Sequence, residues 1–396
     1  MKSGLMKKVA AAVFLAGGIC AGSLAQADDF KWPKLFIVSS NGTETASFAQ
    51  TSGWVPMMQE QTGMTIRVVP NTSDPNRYSV FFDRKGYDMM SISASEVPLQ
   101  TMGVDAYSTM KPALQYLVWN QNEIPWAWIA SKDFAMDSLD EVKDGTIRVA
   151  DNLSSAAVQA AVRKGLPAYL GFDEAQTAEH IKLVPMTNYN ATCRSVVEGT
   201  ADIAWCSPVS SVTAELEASP TGIKWLGMPR DNKEGWKRFG TARPNLLPKV
   251  IDKGVASAIG VEGLTSNFIY TVRAETDEDL VYNIAKWMNE HYDEYAKTHG
   301  LASGMSLKVM RDYLNSTPLP VHPGTVRYLR EIGQWTDADD TWNDTAKAQA
   351  DAWSKARSEA LAEAKSSGVK LNWEDPAFQE IYRKHTKDLD IFRARL

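Results

Sequence analysis

The chain has 396 residues, with 42 Lys and Arg against 48 Asp and Glu, and three cysteines. A net charge of −6 without basic patterning speaks against nucleic acid as a partner, and the length allows two domains with ordinary cores. Beyond the first residues no stretch approaches the ~20 apolar residues that a membrane span needs.

The chain opens on Met1-Lys-Ser-Gly-Leu-Met-Lys-Lys8, followed by an apolar run from Val9 to about Leu24 and small residues at Ala25-Gln-Ala27. A basic start, a short hydrophobic centre and a small-residue cut describe a secretory signal peptide, which predicts a periplasmic mature protein. Cys20 raises lipidation, but Ile19 stands where a small residue is wanted. Cleavage after Ala27 removes Lys2, Lys7 and Lys8, leaving 39 basic against 48 acidic residues and a net charge of −9. Cys193 and Cys206 then remain, one on a predicted helix and one at the end of the following strand. A disulfide and two buried thiols both fit.

From Leu35 strands and helices alternate: strand Phe36–Ser39, helix Thr45–Gln61, strand Thr65–Val69, helix Asn76–Asp83 and strand Tyr87–Ser93. Gln115–Asn120 and Trp126–Ala130 read as two further strands, and Asp137–Gly145 as a short capped helix. A second unit repeats the alternation, with strand Ile147–Ala150, helix Ala156–Leu166, strand Ile181–Pro185, helix Ala191–Glu198 and strand Asp202–Trp205. Such alternation predicts a largely parallel sheet with helices on its faces. Phe268–Val272 is expected to carry the chain back to the first half. A helix over Asp277–Tyr295 follows, with Leu280, Ile284, Trp287, Met288 and His291 at helical spacing. Asp339 to Lys365, and the segment capped by Asp375-Pro376, predict two amphipathic helices packed on the body. The expected fold class is α/β, in two lobes with hinge crossovers and a C-terminal helical extension. Its parts are a signal peptide over 1–27, a first lobe over 28–133 rejoined by 263–335, a second lobe over 134–262, and the extension over 336–396.

Each half places a hydroxyl- and amide-rich turn between its first strand and the next helix. The first turn holds Ser40, Asn41, Thr43, Glu44 and Thr45; the second holds Asp151, Asn152, Ser154 and Ser155. A helix start presents unpaired N–H groups and the positive end of its dipole, so each turn suits an anion. Ordinary capping accounts for one or two of these residues, not for all of them. The Glu44 carboxylate either points away from an anion or meets a ligand amine. Ser93 and Ser95, and Trp205 with Ser207, end neighbouring strands, where open sheets of this kind bind ligands. Arg194 is the candidate carboxylate clamp. The five histidines have no metal-ligand spacing, and neither a nucleophile elbow nor a phosphate loop occurs, so no catalytic residue, metal or cofactor is expected.

Asp279-Leu-Val-Tyr-Asn-Ile-Ala-Lys286 and Leu319-Pro-Val-His-Pro-Gly-Thr-Val-Arg-Tyr-Leu-Arg-Glu-Ile-Gly333 resemble the closing signature of the TAXI family, the extracytoplasmic receptors of one branch of TRAP transporters. The resemblance spans about residues 35–335. It implies a two-lobed, type II-like periplasmic binding protein that closes on a small solute, often a carboxylate or an amino acid. It implies a membrane permease driven by an ion gradient as partner. Within the family's usual Gly-rich turn only Gly42 and Thr43 match here, with Ser47 and Phe48 in place of a tyrosine pair. Of the second usual motif Ser154 survives. Two other functions compete with this one: a receptor feeding an ATP-driven importer with a sulfonate or nitrogenous solute, and an exported hydrolase.

Overall fold

A computed structural model describes residues 30–395 of the chain. The expected signal peptide over 1–27, with Cys20, lies outside the described residues. The strands are β1 (Leu35–Ser40), β2 (Thr65–Pro70), β3 (Met89–Ser93), β4 (Gln115–Ser131), β5 (Ile147–Asn152), β6 (Ile181–Met186), β7 (Ile203–Cys206), β8 (Ile223–Leu226), β9 (Leu247–Val250) and β10 (Glu262–Arg273). They form a mixed sheet in the order β2-β1-β3-β10-β4-β7-β5-β6, with β8 paired to β4 and β9 to β10. Each end of this sheet is parallel: β1 with β2 and β3, and β5 with β6 and β7. The two middle strands, β10 and β4, run antiparallel to one another and to their outer neighbours.

The sheet therefore holds two α/β units joined by two long strands. One core gathers Val38, Trp54, Met89, Ile92, Trp119, Ile269 and Tyr270 around the first unit. Two others cover the faces of the second, one around Trp128, Val149, Tyr169 and Phe239, the other around Ala150, Val196, Trp225 and Ile251. Separate cores linked by β4 and β10 make the molecule two-lobed. The crossing strand is longer than Phe268–Val272, because its N-terminal half also pairs with β9.

Gln115–Asn120 and Trp126–Ala130, expected as two strands, are one 17-residue strand. The polar stretch at the join is not a loop because its strand pairing with β10 continues and the buried amides of Asn120 and Gln121 find distant partners. Asn120 Nδ2 donates to Gly304 O at 2.7 Å and Gln121 Nε2 to Ser47 O at 2.9 Å. Register shifts against β10 fall between Phe268 and Ile269 and again between Tyr270 and Thr271. Such bulges re-aim side chains, and here Gln121 reaches the first turn of the helix Ala46–Thr62. The helix expected over Asp277–Tyr295 instead breaks at His291 into Glu278–Glu290 and Tyr292–Tyr295.

In the TAXI-like signature, His322 caps the helix Pro323–Glu331 by accepting from Gly324 N at 3.2 Å. Gly324 lies where any Cβ would collide with the backbone of Glu278 and Tyr282, so glycine lets the two helices meet closely. That segment is structural. Cys193 and Cys206 form a disulfide between the helix Tyr189–Arg194 and β7.

The C-terminal extension packs on the first lobe. Thr336 and Asp339 form a capping box that opens a 30-residue helix, Asp337–Ser366, with Ala346, Ala350, Trp353, Ala360 and Ala364 buried along one stripe. Arg357, 1% exposed, donates from Nη1 to Gln100 O at 2.6 Å and from Nη2 to Tyr107 O at 2.8 Å. Gly103, at φ +58°, leaves the space that guanidinium fills. The final helix, Pro376–Thr386, places the Tyr382 hydroxyl on Met102 O.

Candidate functional site

The carboxyl ends of β1, β2, β5, β6 and β7 converge on one cleft, with Ile124 and Trp126 of β4 and Phe268 of β10 also in its wall. The main chamber encloses ≈ 600 Å³ of empty space, its mouth included. A smaller chamber shares Asn41, Asp74, Trp126, Ser155, Val158 and Phe268 with it and continues to Ser93, Ser95, Glu96, Trp205 and Arg243. Strand ends facing one another across two lobes are where sheets of this type bind ligands.

The first lobe's turn contributes Asn41, Gly42, Glu44, Thr45 and Ser47. Thr45 is the N-cap of Ala46–Thr62, accepting from Phe48 N at 3.3 Å and donating to Gly42 O at 2.7 Å. Asn41 Oδ1 is buried without a partner. The Glu44 carboxylate folds back over Gly42 and makes no side-chain hydrogen bond or ion pair among the described residues. The second lobe supplies Asn152, Ser154 and Ser155. Asn152 Oδ1 accepts from Ser154 N at 2.9 Å, Ser154 Oγ at 2.8 Å and Ser155 N at 3.1 Å, while Nδ2 stays unpartnered. Its amide thus fixes the turn with one end and leaves a donor with the other.

Contacts bridge the cleft directly. Ser155 Oγ donates to Asp74 Oδ2 at 2.7 Å, and Asp74 N to Ser154 O at 2.9 Å. Ser211 Oγ donates to Glu44 O at 3.0 Å, and Lys164 pairs with Asp105 at 2.7 Å. Behind Asp74, Arg77 is fully buried between that carboxylate at 3.0 Å and Glu96 at 2.8 Å. Glu96 also accepts from Tyr107 Oη at 2.6 Å and Gln100 Nε2 at 2.7 Å. Burial, and then the neighbouring Asp74 carboxylate, raise Glu96 above the usual carboxylate range, against the pull of Arg77. Trp126 stacks on Trp205 with centroids 5.9 Å apart and planes 4° from parallel, and Tyr189 meets Trp126 edge-on.

Of the residues singled out in the sequence, the main chamber brings together Asn41, Glu44, Thr45, Asn152, Ser154, Ser155 and Ser207, and the smaller one Ser93, Ser95 and Trp205. Four lie elsewhere. Ser40 is wholly buried and Thr43 is exposed, neither lining the cleft. The Asp151 carboxylate is held by Arg163 at 2.6 Å. Arg194, proposed as the clamp, is committed to an ion pair with Glu215.

The sequence reading missed Thr72 and Asp74, Tyr189 and Ser210. All follow strand ends, so the rule applied to β1, β3, β5 and β7 finds Thr72, Asp74 and Tyr189 when extended to β2 and β6, and Ser210 when carried three residues past Ser207. It also missed Arg243, just beyond the helix Lys233–Ala242 in a stretch without legible periodicity. Arg243 is 2% exposed and lines the smaller chamber, yet its guanidinium has no hydrogen bond or ion pair among the described residues. Burial pushes it down to about 10, with Asp105 and Glu96 acting the other way from a distance.

Among the described residues there is no cluster of three metal-ligating side chains, and no helix is long and apolar enough to cross a membrane. The fold is similar to the periplasmic binding protein BugD, at 12% identity and a TM-score of 0.45 over 86% of this chain and 99% of that one. It is also similar to the aliphatic sulphonate binding protein SsuA from Escherichia coli, at 10% identity and a TM-score of 0.38 over 71% of this chain and 78% of that one. A third likeness is to the P235GK mutant of ArgBP from T. maritima, at 12% identity and a TM-score of 0.40 over 69% of this chain and 95% of that one. No curated protein matches the chain. The sequence pattern of the NMT1-like family matches residues 94–333, and the chain belongs to that family.

Proposed function

We propose that this protein is a periplasmic solute-binding receptor that captures a small organic acid, a carboxylate or an amino acid, between its lobes. The observation that carries this reading is the cleft itself, walled by strand ends of both lobes and bridged by Asp74–Ser155 and Glu44–Ser211. The ligand contacts are Asn41, Thr45, Ser93 and Ser95 from the first lobe and Asn152, Ser154, Ser155 and Ser207 from the second. β4 and β10 serve as the hinge, since the two cores are joined through them and a hinge needs few elements that cross. Closure follows from the ligand's higher affinity for the closed state, because only there do both turns touch it. The Cys193–Cys206 disulfide fits an oxidising compartment.

The partner in this reading is an ion-gradient-driven TRAP permease, supported by the TAXI-like signature over Leu319–Gly333. A receptor feeding an ATP-driven importer uses the same cleft, so a permease gene beside this one separates the two. A thermal-shift screen of organic acids, amino acids, sugars and cations tests the solute class. A stabilising hit grows as RT ln(1 + [L]/Kd), and it vanishes in Asn152→Ala with Ser154→Ala. A response confined to sugars or cations contradicts the organic-acid reading.

A further inference from the structure

Among the described residues, two charged side chains of this cleft have no hydrogen-bond or ion-pair partner, and they stand in different chambers. Arg243 lines the smaller one and Glu44 the larger one. A buried guanidinium with neither a counter-ion nor hydrogen-bond acceptors is expensive, so a chamber that keeps one suits a group that supplies them. Among the described residues the other two fully buried arginines have partners at their terminal nitrogens, and only Nε is left without one. Arg77 has two carboxylates and Arg357 four carbonyls. The carboxylates nearest Arg243 are taken as well: Glu96 by Arg77, Tyr107 and Gln100, and Asp105 by Lys164. Ser93 and Ser95, bonded to each other at 2.9 Å in the same chamber, can turn their hydroxyls to an oxyanion. The wall shared by the two chambers has an apolar side of Trp126, Val158 and Phe268 and a polar side of Asn41, Asp74 and Ser155, where the Asp74 carboxylate is already taken by Arg77 and Ser155.

Resting on the receptor reading above, we propose that Arg243 anchors one anionic group of the solute and that Glu44 excludes a second. The solute is then an organic monoanion, a carboxylate or a sulfonate, whose body is apolar and whose far end carries no negative charge. The guanidinium takes the oxyanion in the smaller chamber through its paired N–H donors. The body lies against Trp126, Val158 and Phe268. A dicarboxylate of the same length would place its second charge in the chamber that holds Glu44, where like charges repel. Glu44, which had no place in a simple anion cradle, thereby becomes the selectivity element.

The test is titration calorimetry on the full-length mature protein with hexanoate, phenylacetate and hexane-1-sulfonate, beside adipate as the dianion matched to hexanoate. The monoanions bind at least ten-fold tighter than adipate, and the carboxylate and sulfonate arms show which head group is preferred. Arg243→Gln weakens monoanion binding about ten- to hundred-fold, the loss expected for charge-assisted hydrogen bonds. Arg243→Lys keeps the charge without the fork and falls between. Glu44→Gln narrows the gap between hexanoate and adipate. Thermal melting of each variant separates loss of binding from loss of folding. Tighter binding of adipate, or unchanged binding in a folded Arg243→Gln, overturns the inference. If the wild type binds a neutral or cationic solute and Arg243→Gln binds it equally well, this inference fails and the receptor reading stands. If no solute of any class binds, both fail.

Discussion

The Ser155 hydroxyl does two jobs in one position: it caps the following turn by accepting from Val158 N at 3.3 Å, and it reaches across the cleft to Asp74 at 2.7 Å. Because Asp74 is 2% exposed and also held by Arg77, the bond forms in a dry, preordered setting and outweighs a surface contact. Ser155→Ala therefore weakens solute affinity about ten- to hundred-fold, measured by calorimetry, because the closed state loses a charge-assisted hydrogen bond of ~1.5–3 kcal/mol. By contrast, the Lys164–Asp105 pair is about one-third exposed on each side and contributes little, so Lys164→Ala leaves affinity within two-fold at physiological salt. His322 carries a pH signature. Burial pushes it down to about 4, with Thr276 O opposing, and its ring is neutral when folded. The unfolded chain takes up a proton near pH 6.5 while the folded one resists until about pH 4. Stability is thus held above pH 6.5 and lost as pH falls through that window, by up to about 3 kcal/mol. Chemical denaturation at pH 7 and pH 4.5 reads this, and His322→Gln removes that part of the loss.

Among the elements, the C-terminal helix shows how a late segment can set the first lobe. Four carbonyls of residues 100–110 converge on Arg357, and the same stretch carries Tyr107, which donates to Glu96 behind the cleft. Arg357→Ala strands those buried acceptors and costs about 3 kcal/mol, seen as a drop of several degrees in Tm. Reduction of Cys193–Cys206, which closes a loop of 13 residues, lowers stability of the second lobe by ~2–4 kcal/mol. The helix stripe Ala346–Ala364 was legible because its period is local. The joined strand Gln115–Ser131 was not, because Asn120 and Gln121 look like loop residues until their distant partners, Gly304 O and Ser47 O, are known. Periodicity reports a residue's neighbours along the chain and is silent on the amide 184 or 74 positions away.

At the scale of the molecule, the two-lobe echo in the sequence predicted that turns from both halves face one cleft, and Asn41 and Asn152 do line the same chamber. What stayed hidden were the contributors that depend on tertiary placement. Asp74 reads as a helix-start residue and Arg243 as loop, whereas Arg194 looked like a clamp until Glu215 occupied it. In the proposed reading the receptor bends at β4 and β10 while each core stays rigid. Small-angle X-ray scattering of the mature protein, with and without a saturating organic acid identified by thermal shift, tests that most directly. The account predicts a radius of gyration that falls on addition and saturates at one ligand per chain. Binding of the acid at that stoichiometry with no change in radius, in protein shown to be folded, would contradict it.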